Sequence, residues 1–334
     1  MILNKDYNYY LIGGGKFLID TAIELKKNKI YIEIFFSVRQ FHDLKNDKVL
    51  ISKLKKNKIK FFIFKNINKD SNIFKKLNKT KNIGLCFGSA WIFGDKFLKL
   101  FNYKIFNINC IPLPKYMGGA HFTWQILNNS KDGGIYLQQI TKKLDQGPIY
   151  LSKKFKILKK NPIPLNYFEN YDIYIKKFVK DLLFKIKNNI KLKKNNFENL
   201  FNMREYFPRL KTIDNGFINW SWKSSEIVKF CNAFDRPYKG ASTYIDNKRV
   251  FLQKVSLFKK CSYHSFCNGI IIRKTKGTIF ISTSGGIIAI GKCLNSKNEL
   301  INNSCKQGDR FYTPSSKLDA ATKKRAKVDA KGFN

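Results

Sequence analysis

The chain has 334 residues, of which 64 are Lys or Arg and 23 are Asp or Glu, giving a formal net charge of +41. Its length suggests two domains, and 43% hydrophobic residues with 30 Phe and 16 Tyr exclude a disordered chain. No apolar run reaches the roughly 18 residues of a membrane helix, and the first ten residues lack a signal peptide's apolar core. Seven Cys without a C-x-x-C pair indicate free thiols. We therefore expect a cytoplasmic protein with no membrane partner.

The N-terminal half alternates short apolar strands with helical stretches. Strands are predicted at 7–12, 30–36, 59–64, 83–87, 104–108, 135–140 and 149–155, and helices at 17–27, 96–101 and 167–190. This alternation predicts an α/β fold with a doubly wound, mostly parallel sheet. Gly13, Gly14 and Gly15 follow the first strand and can either hold a phosphate at a helix N-terminus or form a tight turn. Because neither G-x-G-x-x-G nor a P-loop Lys follows, we favour the turn.

The pattern changes after a polar, Lys- and Asn-rich linker at 191–202. A helix is predicted at 224–233, and short strands with hairpin turns follow at 241–245, 248–255, 269–273, 278–283 and 286–290. Five short strands with tight turns predict a small, β-barrel-like domain. We therefore expect a catalytic domain at 1–204, a β-rich domain at 205–315 and a basic tail at 316–334.

The positive charge comes almost entirely from Lys, because the chain has only eight Arg. Nucleic-acid sites usually also use Arg, whose planar fork binds phosphate and guanine. Lys, Asn, Ile and Phe are encoded by AT-rich codons, so genome bias also explains the excess. Whichever explanation holds, the field attracts anions.

A stretch near the middle of the chain carries the polar residues of most chemical interest. Asn107 and Asn109 lie at the end of a predicted strand, a Pro- and Gly-rich loop follows, and His121 begins a helical stretch. Asp145 follows another apolar run, beside Gly147. Open α/β sheets bind ligands outside the carboxyl ends of their strands, where an amide, an imidazole and a carboxylate can polarise a carbonyl and move a proton. On spacing alone, a structural loop with one solvated Asp is an equally good interpretation.

Three motifs occur in order in this stretch, namely Asn107, Leu113-Pro114-Lys115-Tyr116-Met117-Gly118 and Asp145-Gln146-Gly147. Their order and spacing resemble the catalytic core of the folate-dependent formyltransferases, which include methionyl-tRNA, glycinamide ribonucleotide and sugar-nucleotide N-formyltransferases. The segment 234–241 resembles the entry to that family's C-terminal β domain, and 308–314 its closing segment. The resemblance covers about residues 5–315. It implies an enzyme that transfers a formyl group from 10-formyltetrahydrofolate to a primary amine.

The resemblance also implies roles for individual residues. In the family an Asn and a His hydrogen-bond the formyl oxygen, and an Asp orients the His and handles protons. Asn107 and Asp145 match that Asn and that Asp. The residues expected to contact the folate are Phe87, Gly88, Ser89, Ala90, Trp91, Leu144 and Gly147. No metal is expected, because the sequence has no His, Cys and Asp cluster at ligand spacing.

One position departs from the family. Its catalytic His falls at Asn109, and an amide can donate a hydrogen bond but cannot become an imidazolium. Losing a positioned acid or base typically slows a reaction by about 10²–10⁴-fold. Either the chain is catalytically impaired, or another residue replaces the His. His121 is the candidate replacement, and its alternative role is that of a helix-entry residue that bonds only to the loop.

A second departure concerns the acceptor. Methionyl-tRNA formyltransferases have a basic insertion after the second strand, whereas 37–44 contains no Gly- and Arg-rich loop, and the family's loop Arg is Met117 here. We therefore expect a small-molecule amine as acceptor, best an amino-sugar nucleotide. The alternatives are a methionyl-tRNA formyltransferase, which the Lys excess favours, and an impaired homologue that only binds ligand. The sequence leaves open whether the chain forms a homodimer.

Overall fold

The computed structural model describes residues 1–77, 81–141, 147–195, 203–275 and 277–327. Among these residues, seven strands form the main sheet, in the order β3-β2-β1-β4-β5-β7-β8. The nine strands of this half are Asn8–Gly13 (β1), Ile32–Ser37 (β2), Phe61–Phe64 (β3), Asn82–Phe87 (β4), Ile105–Asn109 (β5), Met117–Gly118 (β6), Asp132–Gln139 (β7), Ile149–Lys156 (β8) and Tyr206–Phe207 (β9). The first five of the sheet are parallel, β7 and β8 are antiparallel, and β6 pairs separately with β9.

Helices cover both faces of this sheet. They are Lys16–Lys27 (α1), Val38–Asn46 (α2), Lys48–Lys56 (α3), Ser71–Leu77 (α4), Asp95–Lys99 (α5), His121–Leu127 (α6) and Pro164–Lys187 (α7). On one face α1, α3 and α7 bury residues such as Leu18, Leu54 and Val179, and on the other α4 and α5 bury Ile73 and Phe97. The doubly wound, mostly parallel arrangement predicted from the sequence is therefore confirmed.

The C-terminal half is built on an antiparallel sheet with the order β10-β11-β14-β13-β12. Its elements are Thr212–Asn215 (α8), Ser224–Ala233 (α9), Ala241–Ile245 (β10), Lys248–Lys259 (β11), Ile271–Thr275 (β12), Thr278–Thr283 (β13), Gly286–Leu294 (β14) and Ser315–Lys323 (α10). The two edge strands are joined by one later segment: Tyr312 exchanges backbone hydrogen bonds with Tyr244 on β10, and Ile271 N on β12 donates to Asp309 O. This closure explains the barrel-like shape predicted from the sequence.

The structure differs from the predicted elements in a few places. The sequence pattern does not predict helix α4, although Asp70 caps it by accepting hydrogen bonds from the backbone N–H groups of Asn72 and Ile73. Strand β11 runs to Lys259, four residues beyond its predicted end. The sequence pattern does not indicate this extension, because its residues are exposed and show no apolar alternation. Helix α7 begins at Pro164, a residue type that is well suited to the first helical turn. The boundary at 204/205 stays a prediction.

Within the described ranges, no helix combines the length and apolarity that would be needed to cross a bilayer.

Candidate active site

A cavity of about 510 Å³ opens at the carboxyl edge of the parallel strands. Gly14 and Gly15 after β1, Phe87 and Gly88 at the end of β4, and the last residues of β5 line it. Helix α1 begins at β1 and packs on one face of the sheet, whereas β4 is followed by α5 on the other face. The cavity therefore lies at the point where the winding direction reverses, which is where open α/β sheets bind ligands.

Strand β5 brings two amides to this cavity. Side chains two residues apart on a strand lie on the same face, so Asn107 and Asn109 point the same way. Asn107 is half-buried and Asn109 is buried. Asn109 Nδ2 lies 3.5 Å from Gln138 Oε1, a long contact, and Gln138 Nε2 donates to Gly147 O at 3.1 Å. Gln138 on β7 therefore orients Asn109 only loosely.

The loop after β5 brings His121 to the same cavity. Gly118 has a φ of 102° and Ala120 one of 57°, so the chain turns sharply before α6. The His121 ring packs edge-on against Phe122, with centroids 4.2 Å apart. Its Nε2 atom is buried and has no hydrogen-bond partner among the described residues. Asn107, Asn109 and His121 thus line one cavity, and their catalytic roles stay a prediction.

The surroundings of His121 keep its ring neutral. Burial disfavours the charged imidazolium, and the nearby Arg209 guanidinium repels it, so the pKa of His121 falls from 6.5 to about 4. Near neutral pH the ring therefore carries one N–H donor and one acceptor nitrogen. A neutral imidazole of this kind acts as a hydrogen-bond donor toward a polarised oxygen rather than as a strong acid.

The cavity is completed by residues from the second half of the chain. Strand pairing between β6 and β9 brings Arg209 over Gly119, where a Cβ atom on the glycine would lie 2.7 Å from the Arg209 Cβ. Tyr238, which shares a side-chain hydrogen bond with Thr123, lines the same cavity. Burial raises the pKa of the Tyr238 phenol, so it remains protonated.

The residues expected to contact folate do not all line the cavity. Phe87 and Gly88 line the cavity. Ser89, Ala90 and Trp91 lie beyond the lining residues, where Ser89 Oγ accepts a hydrogen bond from Trp91 N at 3.1 Å.

Gly147 lies just outside the cavity, against β7. A Cβ atom there would lie 1.8 Å from Gln139 O, so only glycine fits this close approach. Leu144 and the predicted proton-handling residue, Asp145, lie outside the described residues.

Sequence reasoning missed three residues beside the cavity, namely Arg209, Tyr238 and Gln138. In the sequence, the segment around Arg209 has only the features of a domain junction. The available signal was the residue type, because an Arg stands out in a chain whose cations are nearly all Lys. Gln138 and Gln139 together gave the signal of two polar residues in an otherwise apolar run, between Leu137 and Ile140. Within the described residues, no group of His, Cys, Asp and Glu could hold a metal ion.

Comparison with known families assigns both halves of the chain. The sequence model described as "Formyl transferase" matches residues 11–163, and the one described as "Formyl transferase, C-terminal domain" matches residues 211–308. Together the two matches span most of the chain and include most of the residues that line the cavity, but not Phe168 and Arg209.

Curated relatives are similar at moderate identity. The bifunctional polymyxin resistance protein ArnA of Wigglesworthia glossinidia brevipalpis is 28% identical over 256 residues, which is 75% of this chain but only 36% of ArnA. The methionyl-tRNA formyltransferase of Malacoplasma penetrans is 28% identical over 263 residues, covering 70% of this chain and 72% of the relative. The chain thus spans about a third of the one relative and most of the other.

Solved structures share the fold at lower identity. A sugar 3N-formyl transferase determined in the presence of dTDP and 5-N-formyl-THF has a TM-score of 0.61 and 21% identity, covering 87% of this chain and 99% of that one. An N-formyltransferase from Helicobacter canadensis, in complex with folinic acid and dTDP-3-aminofucose, has a TM-score of 0.60 and 20% identity, covering 86% and 99%. At this identity the likeness establishes the two-part fold alone.

Proposed function

The chain belongs to the formyl transferase family, and on that premise we propose that it transfers a formyl group from 10-formyltetrahydrofolate to a primary amine. The observation that carries the proposal is the convergence of Asn107, Asn109 and His121 on one cavity at the carboxyl edge of the sheet. Amide and imidazole N–H groups are hydrogen-bond donors. Preorganised donors stabilise the charge that develops on a carbonyl oxygen under attack.

In the proposed reaction, the amine nitrogen attacks the formyl carbon and the formyl oxygen becomes negatively charged. Asn107 donates a hydrogen bond to that oxygen, assisted by Asn109 or His121. Asp145 accepts the proton that the attacking amine loses. The bond between the formyl carbon and its folate nitrogen then breaks, that nitrogen takes up a proton, and the formamide and tetrahydrofolate leave.

His121 is the proposed replacement for the catalytic His that the family has at Asn109. Its Nε2 atom is buried without a partner among the described residues, and leaving such an atom unpaired costs free energy of about 1–3 kcal/mol. A substrate oxygen would supply the missing partner. Because burial lowers the pKa of His121 to about 4, we assign it the role of a neutral donor and leave proton removal to Asp145.

We assign the folate to the β4 side of the cavity. Phe87 offers an apolar wall, and Gly88 leaves open space where a side chain would otherwise project. Ser89, Ala90, Trp91, Leu144 and Gly147 remain predicted contacts on the strength of the family motif.

The acceptor is best taken to be an amino-sugar nucleotide. After β2 the chain enters α2 directly, with Ser37 Oγ accepting a hydrogen bond from Gln40 N, and α3 follows at once. Leu44 on α2 and Leu50 and Leu54 on α3 are buried, so both helices pack against the core. Residues 38–56 are therefore packed structure, which argues against the basic loop of the tRNA-specific enzymes.

A methionyl-tRNA formyltransferase is the second candidate. It is favoured by the net charge of +41 and by the similarity to the M. penetrans enzyme over 70% of the chain. The third candidate is a homologue that binds ligand without turnover, because Asn109 stands where the family has its catalytic His.

The test measures tetrahydrofolate release and formamide formation by the purified full chain, with amino-sugar nucleotides and with methionyl-tRNA as acceptors. We expect product with an amino-sugar nucleotide. We expect a loss of about 10²–10³-fold in Asn107→Ala, and a comparable or larger loss in Asp145→Ala. The exposed carboxylate variant Asp6→Ala, which serves as the control, should keep wild-type turnover.

Product with methionyl-tRNA alone would replace the small-molecule acceptor with tRNA. Saturable binding of 10-formyltetrahydrofolate without product from any acceptor would contradict the enzymatic proposal and favour the ligand-binding homologue.

A further inference from the structure

The two amides of β5 line the same cavity but differ in what their neighbours leave free. We propose that Asn109 presents its side-chain oxygen to the cavity and accepts a hydrogen bond from the attacking amine. Asn107 and His121 then supply the N–H groups that contact the formyl oxygen. Gln138 is the positioning residue that sets this orientation of Asn109. The inference rests on the proposed function, because it assigns a separate role to one residue of the same site.

The orientation of the Gln138 side chain is set by a group that can only accept a hydrogen bond. Gln138 Nε2 donates to Gly147 O at 3.1 Å. Gly147 packs closely against β7, where a Cβ atom would lie 1.8 Å from Gln139 O, so its carbonyl group has little freedom to move. Because the nitrogen end of the Gln138 amide faces Gly147, its oxygen end is directed elsewhere.

Asn109 lies at that oxygen end. Its Nδ2 atom is 3.5 Å from Gln138 Oε1. The contact is long, so it holds Asn109 loosely, but the reversed amide would place two oxygen atoms against each other without a hydrogen between them. Which end of an amide is nitrogen follows from a hydrogen-bond network of this kind. The fixed acceptor at Gly147 therefore sets, through Gln138, the direction in which the Asn109 nitrogen points.

The oxygen of Asn109 remains accessible to a ligand. Asn109 lines the cavity and Gln138 does not, so the nitrogen faces a residue outside the cavity lining. Within the described part of the chain, Asn109 Oδ1 has no hydrogen-bond partner, and it is not one of the fully buried atoms that lack a partner. Asn109 thus offers the cavity an oxygen that needs a hydrogen-bond donor.

A free oxygen suits the attacking amine, because the amine has N–H groups to donate and the formyl oxygen has none. During attack the amine nitrogen gains positive charge, so the hydrogen bond from its N–H to Asn109 Oδ1 becomes charge-assisted and stronger. An interaction that is stronger in the transition state than in the ground state lowers the barrier. Asn109 holds this N–H without taking its proton, which passes to Asp145 as in the proposed reaction.

The spacing of the two amides fits separate contacts with the two reacting groups. Residues two apart on a strand lie about 7 Å from each other on one face. Reacting atoms in a productive complex are about 3–3.5 Å apart, so Asn107 can bond the formyl oxygen while Asn109 bonds the amine. The neutral ring of His121 supplies the second donor. Position 109 thus becomes an acceptor, whereas an imidazolium there can only donate.

The experiment compares Asn109→Asp and Asn109→Leu with the wild type in the full chain. Asp keeps the oxygen acceptor but has no N–H group, and Leu has a similar size to Asn without either group. Steady-state kinetics use the acceptor that gives most product with the wild type, and they measure kcat and the Michaelis constant of each substrate. Thermal unfolding verifies that every variant is folded.

We expect Asn109→Asp to keep kcat within about 10-fold of the wild type and Asn109→Leu to lower it by about 10²-fold, with an unchanged Michaelis constant for the folate donor. If Asn109 donated to the formyl oxygen instead, Asn109→Asp would lose at least as much as Asn109→Leu, because its carboxylate repels the developing negative charge. That order in an active wild type would overturn the inference and leave the proposed function intact. A wild type without product from any acceptor would be a failure of the proposed function itself, and the inference would fail with it.

Gln138→Leu tests the positioning role, and Gln139→Leu is its matched control. The Gln139 side chain, next along β7, bonds to Tyr103 O and to the Tyr150 hydroxyl rather than to Asn109. We expect Gln138→Leu to lower kcat by about 10-fold in the wild type but to add no further loss to Asn109→Leu, because it acts through Asn109. Gln139→Leu should match the wild type. Equal losses from Gln138→Leu in both backgrounds would contradict the positioning role.

A nuclear magnetic resonance measurement tests the same contact without turnover. The side-chain nitrogens of Asn residues are isotopically labelled, and the Asn109 signal is identified by its loss in Asn109→Leu. We expect Gln138→Leu to shift this signal and to speed its hydrogen exchange with water, whereas Gln139→Leu leaves it unchanged. A signal that is identical in Gln138→Leu and the wild type would show that Gln138 does not orient Asn109, and it would overturn the assignment even in a chain whose acceptor is unknown.

Discussion

The carboxyl edge of the main sheet and the C-terminal barrel treat buried polar side chains differently. In the barrel, Asn302 accepts a hydrogen bond from Cys293 N at 2.7 Å and donates to Gly277 O and Gly291 O. Thr243 likewise accepts from Trp220 Nε1 and donates to Tyr312 O. At the sheet edge, His121 Nε2 has no partner among the described residues, and Asn109 is held by one long contact.

This difference separates polar groups that build the fold from polar groups that are available for a ligand. The barrel also contains two buried atoms without a described partner, Arg249 Nε and Asn268 Oδ1. However, the Arg249 guanidinium already donates through Nη2 to Ile213 O and Ser242 Oγ. Local rules of polar satisfaction are most often broken at functional sites, where a substrate completes the bonding. The comparison therefore points to the sheet edge as the chemical centre and to the barrel as structural support.

The largest expected effect tests the sheet edge through His121. We expect His121→Ala to lower kcat by about 10²–10³-fold, because it removes a preorganised donor to the formyl oxygen, and to leave the affinity for 10-formyltetrahydrofolate unchanged. Adding Asn109→His to that variant should recover part of the lost rate by restoring the imidazole at the family position. The exposed His42→Ala is the matched control. Unchanged turnover in His121→Ala would show that the histidine only shapes the loop.

A second variant tests the barrel. Asn302→Ala leaves three backbone groups without their side-chain partner, so we expect the free energy of unfolding to fall by about 1–3 kcal/mol. The value of kcat should stay at the wild-type level, since Asn302 lies outside the cavity lining. Urea unfolding and steady-state kinetics measure the two quantities. A marked loss of kcat in a protein of normal stability would remove the distinction drawn between the two regions.

The smallest expected effect is a pH dependence of stability that belongs to His121. Its pKa is about 4 in the folded chain and about 6.5 when unfolded, so between these values the unfolded chain binds a proton that the folded chain does not. Its contribution to stability is therefore present above about pH 6.5 and is lost as the pH falls toward about 4. Urea unfolding on both sides of this window should show a smaller loss in His121→Gln than in the wild type or His42→Gln. Identical losses in all three proteins would contradict the neutral, buried state of the ring.

The overall fold was largely predictable from the sequence because its signals are local. Apolar runs, Gly and Pro turns and the change of pattern after residue 202 are short-range features, and they indicated the sheet, the second module and most element positions correctly. The errors occurred where local signals are weak. Helix α4 has only seven residues. At the end of β11, Phe258 and its two neighbours in the chain are all exposed, so no alternation of buried and exposed residues marks the strand.

Within the site, the sequence by itself determined the family motifs, the two amides of β5 and the absence of a His at position 109. Only the tertiary structure decided which other side chains meet them. Arg209 and Tyr238 are far from these amides in the chain, and no periodicity links them to the amides. Arg209 is brought in by the pairing of β6 with β9, and Tyr238 lies between α9 and β10. Their common location follows from packing between the two halves, which a linear pattern does not encode.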